Sequence, residues 1–229
     1  MKSNSRMLKL IPSLAVLLLI FADAKTQEFQ DEFNLASRKL SSSGEAKYFV
    51  LVPGFQIVLG SSTTKLTITV LNETKEIGGI MTRVLEEREE VGGALAEISR
   101  NYYAIDPVTK DVFYFGEDVN FYKDGQVINH NGSWLAFEGN NKPGLIMPGT
   151  PKIGMKYAQE VAPGVAMDRA QVLTVSDTLS TPAGKFENGL TTKETSALET
   201  VVEYKSYVPG IGFAADQNLK LISYKPKTR

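Results

Sequence analysis

The sequence predicts an all-β fold: a single strongly curved antiparallel sheet, closed part-way into a barrel or folded into two layers, with only minor helix. Three observations lead there. Turn signals built from Gly, Pro, Asn and Asp recur at short, regular intervals from Pro53-Gly54 onward. The runs between them are rich in β-branched and aromatic residues, as in Leu66-Thr67-Ile68-Thr69-Val70-Leu71, where apolar residues and Thr alternate with the period of a half-buried strand. After residue 47 no apolar pattern keeps a 3.6-residue period over the length of a helix.

The first 24 residues read as a secretory signal peptide. Lys2, Arg6 and Lys9 form a basic start, Leu10 to Phe21 is almost wholly apolar, and Ala22-Asp23-Ala24 fits a small-x-small cleavage site. The apolar run is shorter than the roughly 20 residues that span a bilayer, and Pro12 interrupts its start. The expected product is secreted or periplasmic, with no membrane span after cleavage. The chain has no cysteine. That excludes disulfides and acylation at a thiol, and it favours a bacterial export route over an animal one. Cleavage leaves 22 basic and 25 acidic residues and moves the net charge from −1 to −3. Nothing in that balance attracts a phosphate backbone, so nucleic acid is excluded as a partner.

Residues 25–46 read as a flexible leader ending in Ser41-Ser42-Ser43-Gly44. Phe29, Phe33 and Leu40 allow a short, marginal helix over residues 28–39. Residues 47–229 read as one β domain, a size at which sandwiches and barrels stay undivided. Tyr48-Phe49-Val50-Leu51-Val52 and residues 55–59 form strands around Pro53-Gly54. Residues 80–91 contain helix formers in Leu85-Glu86-Glu87-Arg88-Glu89-Glu90. The Gly-Gly pairs at 78–79 and 92–93 nevertheless favour a long strand turning back into residues 94–105. Asp106-Pro107 makes a turn. Val112-Phe113-Tyr114-Phe115 and Asn120-Phe121-Tyr122 are aromatic strands, and Asp124-Gly125 turns the chain into Val127-Ile128. Gly132-Ser133-Trp134-Leu135-Ala136-Phe137 is one more strand. Residues 139–154, with three prolines and four glycines, are expected to be a loop that tucks Leu145-Ile146-Met147 against the body without joining the sheet centre. Strands follow over residues 155–161, 168–175, 190–195, 201–208 and 219–224.

Several of these motifs carry a resemblance. Tyr103-Ala104-Ile105-Asp106, Tyr114-Phe115-Gly116-Glu117-Asp118, Gly132-Ser133-Trp134, Lys142-Pro143-Gly144-Leu145-Ile146-Met147-Pro148, Tyr157-Ala158-Gln159-Glu160 and Tyr207-Val208-Pro209-Gly210-Ile211-Gly212 resemble segments of a family of exported bacterial β-rich proteins with a curved antiparallel sheet. The resemblance spans roughly residues 47–225. It implies compartment and fold, and it transfers no catalytic residue. Carriers of lipoproteins share the curved sheet but add a helical cover, and no long helix is predicted here.

His130 is the only histidine, and no Gly-x-Ser-x-Gly elbow is present, so neither a His-based metal site nor a serine triad is expected. Met147, Met155 and Met167 read as adaptable packing rather than a copper site. No cofactor is expected. The residue types with the most chemical scope are carboxylates and polar-tipped aromatics. Tyr114, Glu117, Trp134, Tyr157, Glu160 and Asp168 are the ligand-binding candidates if the sheet curls enough to bring them to one hollow. Glu117 and Asp118 are adjacent, so only one of them can face that hollow unless a bulge intervenes. The expected function is that of an exported, non-enzymatic binding protein holding a small molecule, glycan or lipid on a concave β face. The alternatives are an exported hydrolase or cyclase working through a carboxylate pair, and a periplasmic carrier of lipids or lipoproteins.

Overall fold

The computed structural model describes residues 28–225. The signal-peptide segment lies outside the described residues. The elements in chain order are β1 (Gly44–Ala46), β2 (Phe49–Leu51), β3 (Gln56–Gly60), β4 (Thr64–Ile77), β5 (Ile80–Val91), β6 (Ala94–Ile105), β7 (Val112–Lys123), β8 (Gln126–Asn129), β9 (Trp134–Leu135) and β10 (Lys142–Met147). They continue with β11 (Lys156–Ala158), β12 (Glu160–Val161), β13 (Asp168–Thr181), β14 (Gly184–Ser196), β15 (Val202–Val208), β16 (Gly212–Asp216) and β17 (Leu219–Lys225).

Fifteen strands form one antiparallel sheet with the main order β11-β13-β14-β15-β16-β17-β3-β4-β5-β6-β7-β10-β12, while β8 and β9 pair with β7. The two ends of that order are consecutive pieces of one segment. Residues 156–158 bond to β13 and residues 160–161 bond to β10. Gln159 joins them and donates its N–H to the Asp168 carbonyl. The sheet therefore curls into a nearly closed barrel whose seam is this single segment, and its free edges are short, which leaves little unpaired backbone for edge-to-edge association.

The Gly-Gly pairs turn as expected: β4–β5 and β5–β6 are antiparallel hairpins closed at Ile77–Ile80 and Val91–Ala94. Alternation fixes which residues face the lumen. On β4, Ile68 and Val70 are buried while Lys65 is exposed; on β14, Leu190, Thr192 and Glu194 are buried and alternate with half-buried Thr191, Lys193 and Thr195. The small β1–β2 hairpin forms a second sheet. Phe49 packs edge-on against Tyr103 of β6. Opposite it, the Tyr48 hydroxyl donates to the Asn188 carbonyl of β14 at 2.8 Å, and Gly210 N–H donates to the Lys47 carbonyl. Because β6 and β14 lie on opposite sides of the ring, the hairpin crosses the inside of the barrel as a plug.

Three expectations are corrected. Residues 142–147 are not a loop: β10 sits between β7 and β12. Its proline and glycine are tolerated because the two partners use different residues. Lys142 and Pro143 pair with β12, and Gly144, Leu145 and Met147 pair with β7. A short helix over residues 28–39 is not formed either. Only Leu35–Ser37 makes a 3-10 turn, entered through Asn34 in the left-handed region. The strand expected across residues 132–137 shrinks to β9.

The segment read as a flexible leader runs along the outside of the barrel from residue 28. Gln30 bridges to Tyr157. Phe33 meets Phe113 at 5.8 Å between ring centroids, and the Arg38 guanidinium lies 5.0 Å over the same ring. The cause is on β7: Phe113 and Phe115 face away from the lumen, and two fully buried aromatics on an outer face need a cover. Arg38 anchors that cover through Asp106 (2.8 Å), Asp111 (3.0 Å) and the Thr109 hydroxyl (3.1 Å). Burial works against the Asp106 carboxylate, yet the Val108 and Thr109 N–H groups and Arg38 outweigh it and hold its pKa below the ordinary range. Arg38→Ala should therefore destabilise the protein by about 1–3 kcal/mol, since a charge-assisted bond is lost and Asp106 is left half-compensated. Hydrogen exchange over residues 30–41 should accelerate while β4–β6 stay protected.

Candidate functional site

A cavity of about 380 Å³ occupies the lumen between the plug and the strands around it. Its volume lies within the range of roughly 300–1,000 Å³ usual for small-molecule sites. One part of its wall is apolar: Phe49 and Val50 of the plug, Ile57 of β3, Leu66, Ile68 and Val70 of β4, and Phe213 of β16. The other part is acidic. Glu87 and Glu89 come from β5, Glu117 from β7, Glu160 from β12, Asp168 from β13, Glu194 from β14 and Asp216 from β16. Lys205 of β15 is the basic residue on this wall. Tyr103, Tyr114 and Tyr207 stand between the two parts.

The local folding that aims these groups is visible on β7. Tyr103 pairs with Tyr114 and Asn101 with Glu117, so β7 spends one more residue than β6 between those points. The extra residue is taken up as a bulge at Gly116, whose φ of 128° disfavours a side chain and whose missing Cβ would fall 2.3 Å from the Trp134 carbonyl. The bulge brings Tyr114 and Glu117 to the same face despite their spacing of three. Asp118 then faces outward, where it pairs with Lys75 at 3.1 Å and accepts a bond from the Tyr102 hydroxyl.

Charge in the cavity is unequally compensated. Glu194 is held on all sides: Lys205 Nζ lies 2.9 Å from Oε2, while Thr192 Oγ1 (2.9 Å) and the Tyr207 hydroxyl (3.2 Å) donate to Oε1. Lys205 is also 3.5 Å from Glu203. Burial opposes its charge, but Glu194, Glu203 and Asp216 outweigh burial and keep its pKa above the ordinary lysine range. Among the described residues the remaining carboxyls form no ion pair; Lys205 acts on Glu87, Glu160, Asp168 and Asp216 only at longer range, and Tyr114 bonds Glu117. Glu87 is pushed up to about 7 by burial and by Glu97 and Glu89, against the pull of Lys205. Glu117 is pushed up to about 8 by burial and by Glu87 and Glu97. Glu160, only 5% exposed, is pushed up to about 8 by burial and Asp168, although the Asp168 N–H donates to its Oε1 at 2.7 Å. Partial desolvation also raises Asp168, which itself sits exposed at the rim, and half-buried Asp216. Glu87 and Glu117 retain partial exposure, so the acidic wall lies toward an opening of the lumen.

Tyr114, Glu117, Glu160 and Asp168 thus line one cavity. Tyr157 is fully buried beside it, with its hydroxyl unpartnered among the described residues. Trp134 is buried and packs edge-on against Tyr114 at 5.3 Å, supporting the wall without lining it; its Nε1 also has no partner among the described residues. Sequence reasoning missed Glu87, Glu194, Lys205, Tyr207 and Gln159. For Glu87 and Glu194 the signal was register: Leu85-x-Glu87-x-Glu89 and Leu190-x-Thr192-x-Glu194 continue the inward face of an apolar residue by twos. Among the described residues, no three His, Cys, Asp or Glu side chains are grouped so as to hold a metal ion.

No family model matches the chain, and no curated protein matches it. Among solved structures it is similar to a candidate lipoprotein from Parabacteroides distasonis ATCC 8503, with a TM-score of 0.37 and 10% identity over 80% of this chain and 100% of that one. It is also similar to a candidate exported protein with a YmcC-like fold from Bacteroides fragilis NCTC 9343, with a TM-score of 0.34 and 18% identity over the same shares.

Proposed function

We propose that this chain is an exported, non-enzymatic binding protein that takes a small ligand inside the barrel, between the plug and the acidic wall. The observation that carries this reading is the 380 Å³ lumen on which carboxyl groups from six strands and the Lys205 ammonium of a seventh converge. Export rests on the basic, apolar and small-residue order of residues 1–24. A carrier of purely apolar chains is disfavoured, because unpaired carboxyls facing an aliphatic ligand would lose solvation without compensation. An acid–base pair is disfavoured by the electrostatics. Such a pair needs environments that push its two pKa values apart, whereas Glu87, Glu117 and Glu160 are all pushed the same way.

Leu66 is a partly buried lining residue on β4, with room to grow toward the lumen. Native mass spectrometry of protein taken through its own secretion route should find a small molecule retained unchanged. Leu66→Trp should lower its occupancy at least tenfold while leaving the β circular-dichroism spectrum intact. Equal retention by Leu66→Trp would place the ligand elsewhere, and recovery of a chemically converted product would favour the carboxylate enzyme.

A further inference from the structure

The polar atoms left unsatisfied in the cavity are of one kind. Gln159 is 4% exposed, lines the lumen at the seam, and has no hydrogen-bond partner for Oε1 among the described residues. Asp216 Oδ1, also on the wall, has none either. Both are acceptors. A buried acceptor without a donor is costly, and here the two flank a wall where Glu117, Glu160 and Asp168 form no ion pair among the described residues. What is missing is a hydrogen-bond donor, and beside carboxyl groups able to ionise a positively charged donor is the strongest one.

The aromatic residues fit the same occupant. Tyr103 and Tyr114 stack at 4.9 Å, Tyr207 and Phe213 lie 5.7 Å apart, and Phe49 closes the apolar side. Ring faces attract ammonium groups most strongly where water is excluded. The cavity already accommodates one ammonium, that of Lys205, and stabilises its charge against burial. No carboxyl trio is shaped for a metal ion, and the apolar part of the wall offers nothing to a bare ion.

We infer that the ligand is a small organic cation, an amine or quaternary ammonium with an apolar body, its charged end on Glu117, Glu160, Asp168 and the Gln159 carbonyl and its body against Phe49, Ile68 and Phe213. The inference rests on the reading of the lumen as a ligand site. It also gives the surplus of acids over Lys205 on this wall a role: an entering positive charge favours the ionised forms of Glu117 and Glu160, which otherwise hold their protons up to about pH 8.

Three probes of one length separate the possibilities: octyltrimethylammonium, octan-1-ol and octanoate, titrated calorimetrically at pH 9, where Glu117 and Glu160 are ionised, into the full secreted chain well below micelle-forming concentrations. The cation should bind at least tenfold tighter than the alcohol, and the carboxylate weakest. Glu117→Gln should reduce the cation-to-alcohol affinity ratio about tenfold. The wild-type comparison stands without any variant. Alcohol or carboxylate binding as tight as the cation overturns the charge assignment and leaves the lumen a ligand site. Failure of all three probes to bind overturns both readings.

Discussion

Gly144→Ala should lower the melting temperature by roughly 6–12 °C and release whatever the lumen holds. A Cβ at this position would stand 2.2 Å from the Gln159 carbonyl oxygen, 2.3 Å from its carbon and 2.6 Å from the Glu160 nitrogen. All three are backbone atoms of the seam, so no side chain can rotate away; β10 and β12 must separate. The seam has little to spare, since only Lys142–Val161 and Pro143–Glu160 pair there. Overpacking a tight site costs about 1–3 kcal/mol and sometimes more, and at this chain length each kcal/mol shifts the midpoint by about 2–4 °C. The upper end is expected because the displaced segment also positions Gln159 and Glu160. Gly154 supplies the control. It has a φ of 86° and open space around its Cβ position, so Gly154→Ala should incur only the left-handed strain of about 1 kcal/mol. Denaturant unfolding of the two variants side by side measures the difference. Equal losses would mean that the barrel is not closed at β10–β12.

The contrast between these glycines bears on how much of the molecule was legible in its sequence. The strands were, wherever one face is apolar and the other is not. Leu66-Thr67-Ile68-Thr69-Val70 announces β4, and paired glycines announce the ends of β5. Two kinds of feature were hidden. Barrel closure depends on Gly144 meeting residues 159–160, a contact between backbones that no periodicity encodes, and the Pro-Gly content of that segment argued for a loop. The lumen was hidden for the opposite reason. Inward positions on β5, β14 and β15 carry Glu87, Glu89, Glu194 and Lys205, and charged residues on alternate strand positions look like a solvated face. A polar interior inverts the inside-apolar rule on which the reading of a strand depends. Tyr114, Glu117, Glu160 and Asp168 were found because they sit beside aromatic runs or turns. Their partners on helix-forming or Lys-rich stretches were not. The packing of the N-terminal segment was not legible from composition: its polar texture conceals Phe33 and Arg38, whose partners Phe113, Asp106 and Asp111 lie about 70 residues or more away.

Stability should fall as pH rises from about 5 to 9, and Glu160→Gln should remove much of that fall. Glu160 has a folded pKa of about 8 against 4.5 for the free side chain, and Glu117 and Glu87 are raised to about 8 and about 7. A carboxyl raised on folding binds its proton more tightly in the native state. Its contribution is therefore complete below about pH 4.5 and is lost as pH climbs through 7–8. Asp106 and Asp118 act in the other direction: their lowered pKa values stabilise the fold at neutral pH and fail only as pH drops below the ordinary carboxylate range. The two sets together place the stability maximum near pH 5. With about 1.4 kcal/mol per pKa unit, neutralising Glu160 should gain roughly 2–4 kcal/mol at pH 9 and almost nothing at pH 5. Glutamine can still accept the Asp168 N–H bond, so the gain isolates charge from geometry. Urea unfolding of both proteins at the two pH values measures it. If the wild-type profile is flat, water reaches these carboxyls freely and burial does not raise them. If it slopes as expected, an organic cation added at pH 9 should restore stability to the wild type more than to Glu160→Gln, because only the wild type still holds the full charge for the cation to meet.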